Sequence, residues 1–214
     1  MRGLARSLVV LAIVLGAVYG VLRATCLSFW TVAADDPLVA ASLLPTLEPG
    51  DLVVLWRLGT PAFGDLVRCS DPETSGRYVI GRILGEQGDA VNITGHAVTV
   101  NRRLIATAHA CPVPRLTVPH PVSADPVDLL CEIEAAGGND YARARLEVPP
   151  SIVDIHNTSV PNGHVFLASD DRAFHYDSRE FGTVPRSTCT ERIAYRLWSA
   201  RGWSDEARRM TLLH

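Results

Sequence analysis

From Leu38 onward the chain is cut into short apolar runs, and no long stretch repeats hydrophobic residues at helical spacing. Runs at 51–58, 64–68, 77–84, 90–93, 97–101 and 164–168 have strand length and are rich in Val, Ile and Leu. Gly, Pro and Asp separate them. Gly50-Asp51, Gly64-Asp65 and Gly88-Asp89 are three turn signals, each introducing an apolar run. The best helical pattern in this part is short, at 204–213. A chain punctuated this way is expected to fold as an all-β body of bent sheets. Residues of about 102–160, with seven prolines from Pro112 to Pro150, read as an inserted, irregular β subdomain.

The first 34 residues differ. Arg2 and Arg6 precede an uncharged run at 7–22; Arg23 interrupts it, and apolar character resumes through 24–34 with Phe29 and Trp30. The first run is a little under the ~20 residues that cross a bilayer core, so a spanning segment at about 7–30 is expected, with Arg23 snorkelling and Trp30 at the interface. The two leading arginines favour an N-in orientation. The alternative is a cleaved signal peptide ending at Val32-Ala33-Ala34. Both place the body outside the cytoplasm. The expected organisation is an anchor over 1–34, a body over 35–199 and a tail over 200–214.

The formal net charge of -3 gives no reason to expect a nucleic-acid partner. The 20 basic residues are all arginine, which removes every mechanism that needs a lysine. Of five cysteines, Cys111 and Cys131 bracket one loop of the insertion and are candidates to pair; Cys69 and Cys189 are expected to be unpaired. Their spacing resembles no zinc site, and neither metal nor cofactor is expected.

Four segments carry chemistry. S-L-L-P-T-L-E-P-G-D at 42–51 is similar to the S-M-x-P-T-L-x-x-G-D box of the type I signal peptidases, the S26 serine proteases. G-D-L-V at 64–67 resembles their G-D-x-V box. I-G-R-I-L-G-E-Q-G-D at 80–89 resembles I-K-R-V-x-G-x-x-G-D. D-D-R-A-F-H-Y-D-S-R at 170–179, with Gly182 and Val184, resembles D-N-R-x-x-S-x-D-S-R-x-x-G-x-V. The resemblance implies two bent antiparallel sheets behind a transmembrane helix. It implies a membrane-bound endopeptidase on the extracytoplasmic side of the plasma membrane, acting on secreted preproteins after Ala-x-Ala-type small residues. Membrane lipid is the other expected partner.

Ser42 falls on the nucleophile position. A serine hydroxyl needs a neighbour to take its proton, which the family supplies as lysine. Here Gly81 occupies that place, and Arg82 stays protonated. Ala40 stands where the family often has a hydroxyl that helps the oxyanion site. His175 stands where the family has a serine that touches the base, and imidazole suits proton acceptance near neutral pH. Asp177 or Asp170 would orient the ring. Arg172, Asp170, Asp177, Ser178 and Arg179 match residues that brace the site, and Leu43, Leu47 and Ile80 are expected to line the substrate pocket. His164 is the next candidate base; His96, His109, His120, His156 and His214 are expected to be solvated. Three readings stay open here: His175 as base, a different base, or an inactive homologue that binds or assembles secreted substrates.

Overall fold

In the computed structural model, residues 2–148, 150 and 153–213 are described, with side chains from residue 9 onward except that of residue 24. The order begins α1 (Arg2–Thr25), β1 (Leu27–Thr31), α2 (Pro37–Ser42), β2 (Leu52–Trp56), β3 (Leu66–Ser70), β4 (Tyr78–Glu86), β5 (Ala90–Thr94), β6 (Ala97–Val100) and β7 (Arg103–Leu104). It continues β8 (Thr107–Pro119), β9 (Pro126–Ala136), β10 (Asn139–Leu146), β11 (Ile155–Ser159), β12 (His164–Ala168), α3 (Ser178–Phe181), β13 (Val184–Pro185), β14 (Glu191–Trp198) and β15 (Thr211–Leu212).

The strand-rich reading is borne out, in three antiparallel sheets rather than two. An eight-stranded sheet runs β1-β2-β14-β3-β4-β12-β13, with β15 beside β14; β10-β9-β8 form a second sheet and β11-β5-β6-β7 a third. β4 is buried on both faces because its side chains enter three core clusters, Leu84 in one, Val79 and Ile83 in a second and Ile80 in a third, so it lacks the polar alternation of a half-exposed strand.

The three Gly-Asp turns share one construction. Gly50, Gly64 and Gly88 have φ of 95°, 91° and 87°, in the left-handed region where a Cβ is penalised. The aspartate that follows each accepts from a backbone N–H three residues upstream: Glu48 N to Asp51 at 3.0 Å, Ala62 N to Asp65 at 2.9 Å and Glu86 N to Asp89 at 2.8 Å. Gly64 has a second reason to be glycine. A Cβ there would come within 2.4 Å of the Ala136 carbonyl oxygen, in the β9–β10 turn of the inserted sheet. The insertion is therefore docked against the second box.

Three expectations need correction. The apolar run after Arg23 is a strand, not the far half of a membrane segment: β1 pairs with β2 from Leu27↔Trp56 to Thr31↔Leu52, and Trp30 packs on the core. Residues 204–213 are turns followed by β15. Their side chains are drawn into tertiary contacts: Asp205 accepts from Ser199 Oγ at 2.7 Å, Arg208 reaches Asp51, and Leu213 packs on the core. Cys69 and Cys189 are joined in a disulfide, 120 residues apart in sequence, because Cys189 lies just before β14, the neighbour of β3. Cys111 and Cys131 pair as expected, with Cα atoms 5.4 Å apart.

α1 has 24 residues and exposes apolar side chains from Val9 to Leu22. Among the described residues no helix is long and apolar enough to cross a membrane. The side chains of Arg2 and Arg6, expected to set the orientation, lie outside the described residues, as does His214.

Candidate active site

α2 presents Ser42. Asp36 caps it by accepting from the Leu38 and Val39 amides, each at 3.2 Å, and Pro37 supplies a φ suited to the first turn. Six residues later the helix stops, and Ser42 is buried at its end with 1% exposure. Its Oγ donates to the Val39 carbonyl at 2.7 Å. Its own carbonyl accepts from the Asp171 amide at 3.1 Å, which sets the first box directly against the closing box.

Beneath Ser42 the four boxes meet on one buried guanidinium. Arg82 donates from Nε and Nη2 to the two Asp170 oxygens, each at 2.9 Å, and from Nη1 to the Gly64 carbonyl at 2.6 Å. Thr46 Oγ1 donates to Asp170 Oδ2 at 2.6 Å. Boxes far apart in sequence are thus tied by charge-assisted hydrogen bonds, the two-pronged Arg–carboxylate pair fixing orientation as well as distance. The insertion adds to this layer. Arg82 lies over the Tyr141 ring, 3.7 Å from its centroid; Tyr141 and Arg172 both donate to Glu134 Oε2, at 2.6 and 2.8 Å. Asp51 receives Arg196 of β14 at 2.8 Å, which ties the first box to the last long strand.

Asp177 and Arg179 pair with each other within the closing box. Asp177 accepts from Arg179 Nε at 2.9 Å and Nη2 at 2.7 Å, and from the Ser169 amide at 2.7 Å. Burial pushes its carboxyl up, but the Arg179 bonds outweigh burial and hold it at about 2. Ser178 Oγ accepts from the Leu167 amide at 2.9 Å. Asp170 and Asp177 are both committed to arginines, and neither hydrogen-bonds the His175 ring as an orienting acid, although an Asp177 oxygen comes within 4.8 Å of one of its nitrogens. That place belongs to Glu180, whose Oε1 lies 2.7 Å from His175 Nδ1, off the line of a hydrogen bond. Among the described residues no hydrogen bond joins His175 to Ser42. His175 instead stands on a cleft of about 250 Å³ with His96, Arg145, Arg172 and Arg179. His164 Nδ1 lies 3.1 Å from the Asn162 carbonyl.

Asp171 was quoted in the closing box and given no role. It is fully buried. Its Oδ1 accepts from the Ala173 amide at 2.7 Å and the Phe174 amide at 3.0 Å, whereas Oδ2 has no partner. Burial pushes its carboxyl up to about 6, against the pull of the Phe174 and Ala173 amides, His175 and Arg172.

Gly81 lies in β4, opposite Val67 of β3. A Cβ there would stand 3.0 Å from Leu167 Cβ and 3.2 Å from the Ala168 carbonyl oxygen, so β12 closes tightly on Gly81. Leu43, Leu47 and Ile80 pack together in one core cluster with Val32, Val53, Leu55, Leu66 and Ile193. His175, Asp177 and Glu180 bring one ligating atom each within 4.8 Å of one another, but the Asp177 oxygens are taken by Arg179 and backbone amides. That set lacks the free donor a metal centre needs.

Comparison with known proteins agrees with the boxes. The family profile described as "Signal peptidase, peptidase S26" matches residues 5–198. The chain belongs to the S26 signal peptidases. One relative is the mitochondrial ATP-independent inner membrane protease subunit 1b of Arabidopsis thaliana, 24% identical over 162 residues, covering 73% of this chain and 65% of that protein. The four boxes converge on Arg82, and the residue before it in β4 is Gly81. Of the convergence, Asp170 and Arg172 are marked by the sequence boxes as bracing residues, whereas the parts played by Arg82, Thr46, Glu134 and Tyr141 were missed. Glu134 and Tyr141 lie in the insertion, where no local pattern marks them.

Proposed function

We propose that this S26 protein is a membrane-associated serine endopeptidase that removes signal peptides from secreted preproteins, with Ser42 as nucleophile. The observation that carries the reading is the placement of Ser42 directly on the closing box, above the Arg82–Asp170–Thr46 layer. A nucleophile loop held this way keeps its geometry through a reaction cycle. The proton acceptor is a group other than lysine from the loop 170–176, which contains His175 and packs on Ser42. Leu43, Leu47 and Ile80, already clustered under the loop, are proposed to shape a pocket for small side chains before the cut.

Two disulfides support a body facing an oxidising compartment. The exposed apolar side chains of α1 support its role as a membrane anchor, with the body on the extracytoplasmic side. The second reading is a non-enzymatic homologue that binds or assembles secreted substrates; glycine at position 81 and a Ser42 hydroxyl turned to Val39 favour it. Purified full-length protein in detergent, given a preprotein with an Ala-x-Ala site, decides between them. Cleavage that Ser42→Ala abolishes supports the peptidase. No cleavage by the wild type, or equal cleavage by Ser42→Ala, rejects it in favour of the binding protein.

A further inference from the structure

We infer that Asp171 is the proton acceptor that serves Ser42. The inference rests on the peptidase reading and names the group that fills the place left by Gly81.

Position comes first. The Asp171 amide donates to the Ser42 carbonyl at 3.1 Å, so the two residues are held side by side whatever their side chains do. Availability comes next. The other buried acids of this layer are spent: Asp170 on Arg82 and Thr46, Asp177 on Arg179 and Ser169, Glu134 on Arg172 and Tyr141. Among the described residues, Asp171 Oδ2 is the one buried carboxylate oxygen without a partner. The other oxygen holds the carboxylate in place. Two amides, of Ala173 and Phe174, grip Oδ1 and fix the plane of the carboxylate, leaving the Oδ2 lone pairs unspent.

Chemistry agrees with the geometry. A buried carboxylate is a stronger base than a solvated one, and this carboxyl is pushed up to about 6 by burial. The charges facing it, on His175 and Arg172, pull it the other way and are already contained in that result. The family box quoted above has asparagine at this place. The chain therefore carries an acid beside the nucleophile where the box has a neutral amide, and it lacks the basic side chain of β4.

The steps balance. Ser42 Oγ turns from the Val39 carbonyl and bonds to the scissile carbonyl carbon while its proton passes to Asp171 Oδ2. As the peptide C–N bond breaks, Asp171 returns that proton to the departing amine, leaving an acyl ester on Ser42. A water then gives a proton to Asp171 and its oxygen bonds to the acyl carbon. The ester C–O bond breaks, and Ser42 Oγ recovers the proton. The net reaction is peptide plus water to two fragments.

The test reads nucleophile activation apart from peptide cleavage. Wild type, Ser42→Ala, Asp171→Asn and His175→Ala, all full-length in detergent, are treated with a fluorophosphonate from pH 5 to 9. Labelling at Ser42 is followed by intact mass. Asparagine keeps an oxygen for the Ala173 and Phe174 amides, and circular dichroism checks that each variant folds. The wild type should be labelled faster as pH rises, levelling above about pH 6 to 7. Asp171→Asn should lose about 10²-fold or more and lose the pH dependence, and its loss should exceed that of His175→Ala by at least about tenfold. Three results overturn the inference: a wild type unlabelled at every pH, Asp171→Asn labelled at the wild-type rate, or a loss that follows His175→Ala instead. Cleavage of an Ala-x-Ala peptide is measured in parallel. Labelling that follows Asp171 with no peptide cut sinks the processing function and leaves the proton acceptor standing. Cleavage with unaltered Asp171→Asn labelling sinks the proton acceptor alone.

Discussion

Asp171→Asn should stabilise the folded protein at neutral pH relative to its behaviour in acid, even though it is expected to disable the enzyme. The wild-type carboxyl titrates near 6 when folded, against an ordinary value of 3.8, because it is buried. An unfolded chain gives up this proton near pH 4, whereas the folded protein keeps it until about 6. Over that interval the folded state binds more protons, so rising pH costs stability, and the full cost is present above the folded value. Two pH units at about 1.4 kcal/mol each make that cost ~3 kcal/mol. Asparagine does not ionise and escapes it. Its amide N–H₂, left without a partner, costs about 1–3 kcal/mol, but that cost does not vary with pH. The diagnostic is therefore the difference between the two proteins as a function of pH. It should shift in favour of Asp171→Asn by ~3 kcal/mol between pH 3 and pH 7. Equilibrium unfolding in urea, disulfides intact, measures it at each pH. A difference that stays flat across this window would show that Asp171 ionises like a solvated carboxyl, and the basicity assigned to it would be wrong. Such a cost is what a functional group held in an unfavourable state imposes on its fold.

Two further substitutions probe the frame of the site. Arg82→Met leaves Asp170 buried without its partner and should cost about 3–5 kcal/mol, while Arg82→Met with Asp170→Leu should recover much of the loss; denaturant midpoints of the two variants check this, and an equal loss in both would refute the pairing as the cause. Replacing Cys69 and Cys189 together by alanine opens a loop of 120 residues and should lower stability by ~4–5 kcal/mol, against ~3 kcal/mol for Cys111 with Cys131, whose separation is 20. Unfolding under non-reducing conditions ranks the two, and the reverse order would refute the loop-length argument.

The local grammar of this chain was open to reading. Strand runs, Gly-Asp turns and the order of the boxes are written in neighbouring residues, because a positive φ or an Asp side chain closing a turn acts over three or four positions. The serine of the first box is equally local, and so is the pair Asp177–Arg179, two residues apart on one capped turn. What the tertiary structure decided depends on partners far along the chain. Cys69 meets Cys189 only because β3 lies beside β14. β1 is a strand because β2 pairs with it, although its sequence continues the apolar N-terminal run. The 204–213 segment gives up its helix to contacts with Asp51 and the core. Asp170 and Asp171 are identical neighbours in sequence. One is neutralised by an arginine from β4, and the other is left buried with a free oxygen. Charge and basicity depend on burial and on which distant group arrives, and no spacing of residues encodes that.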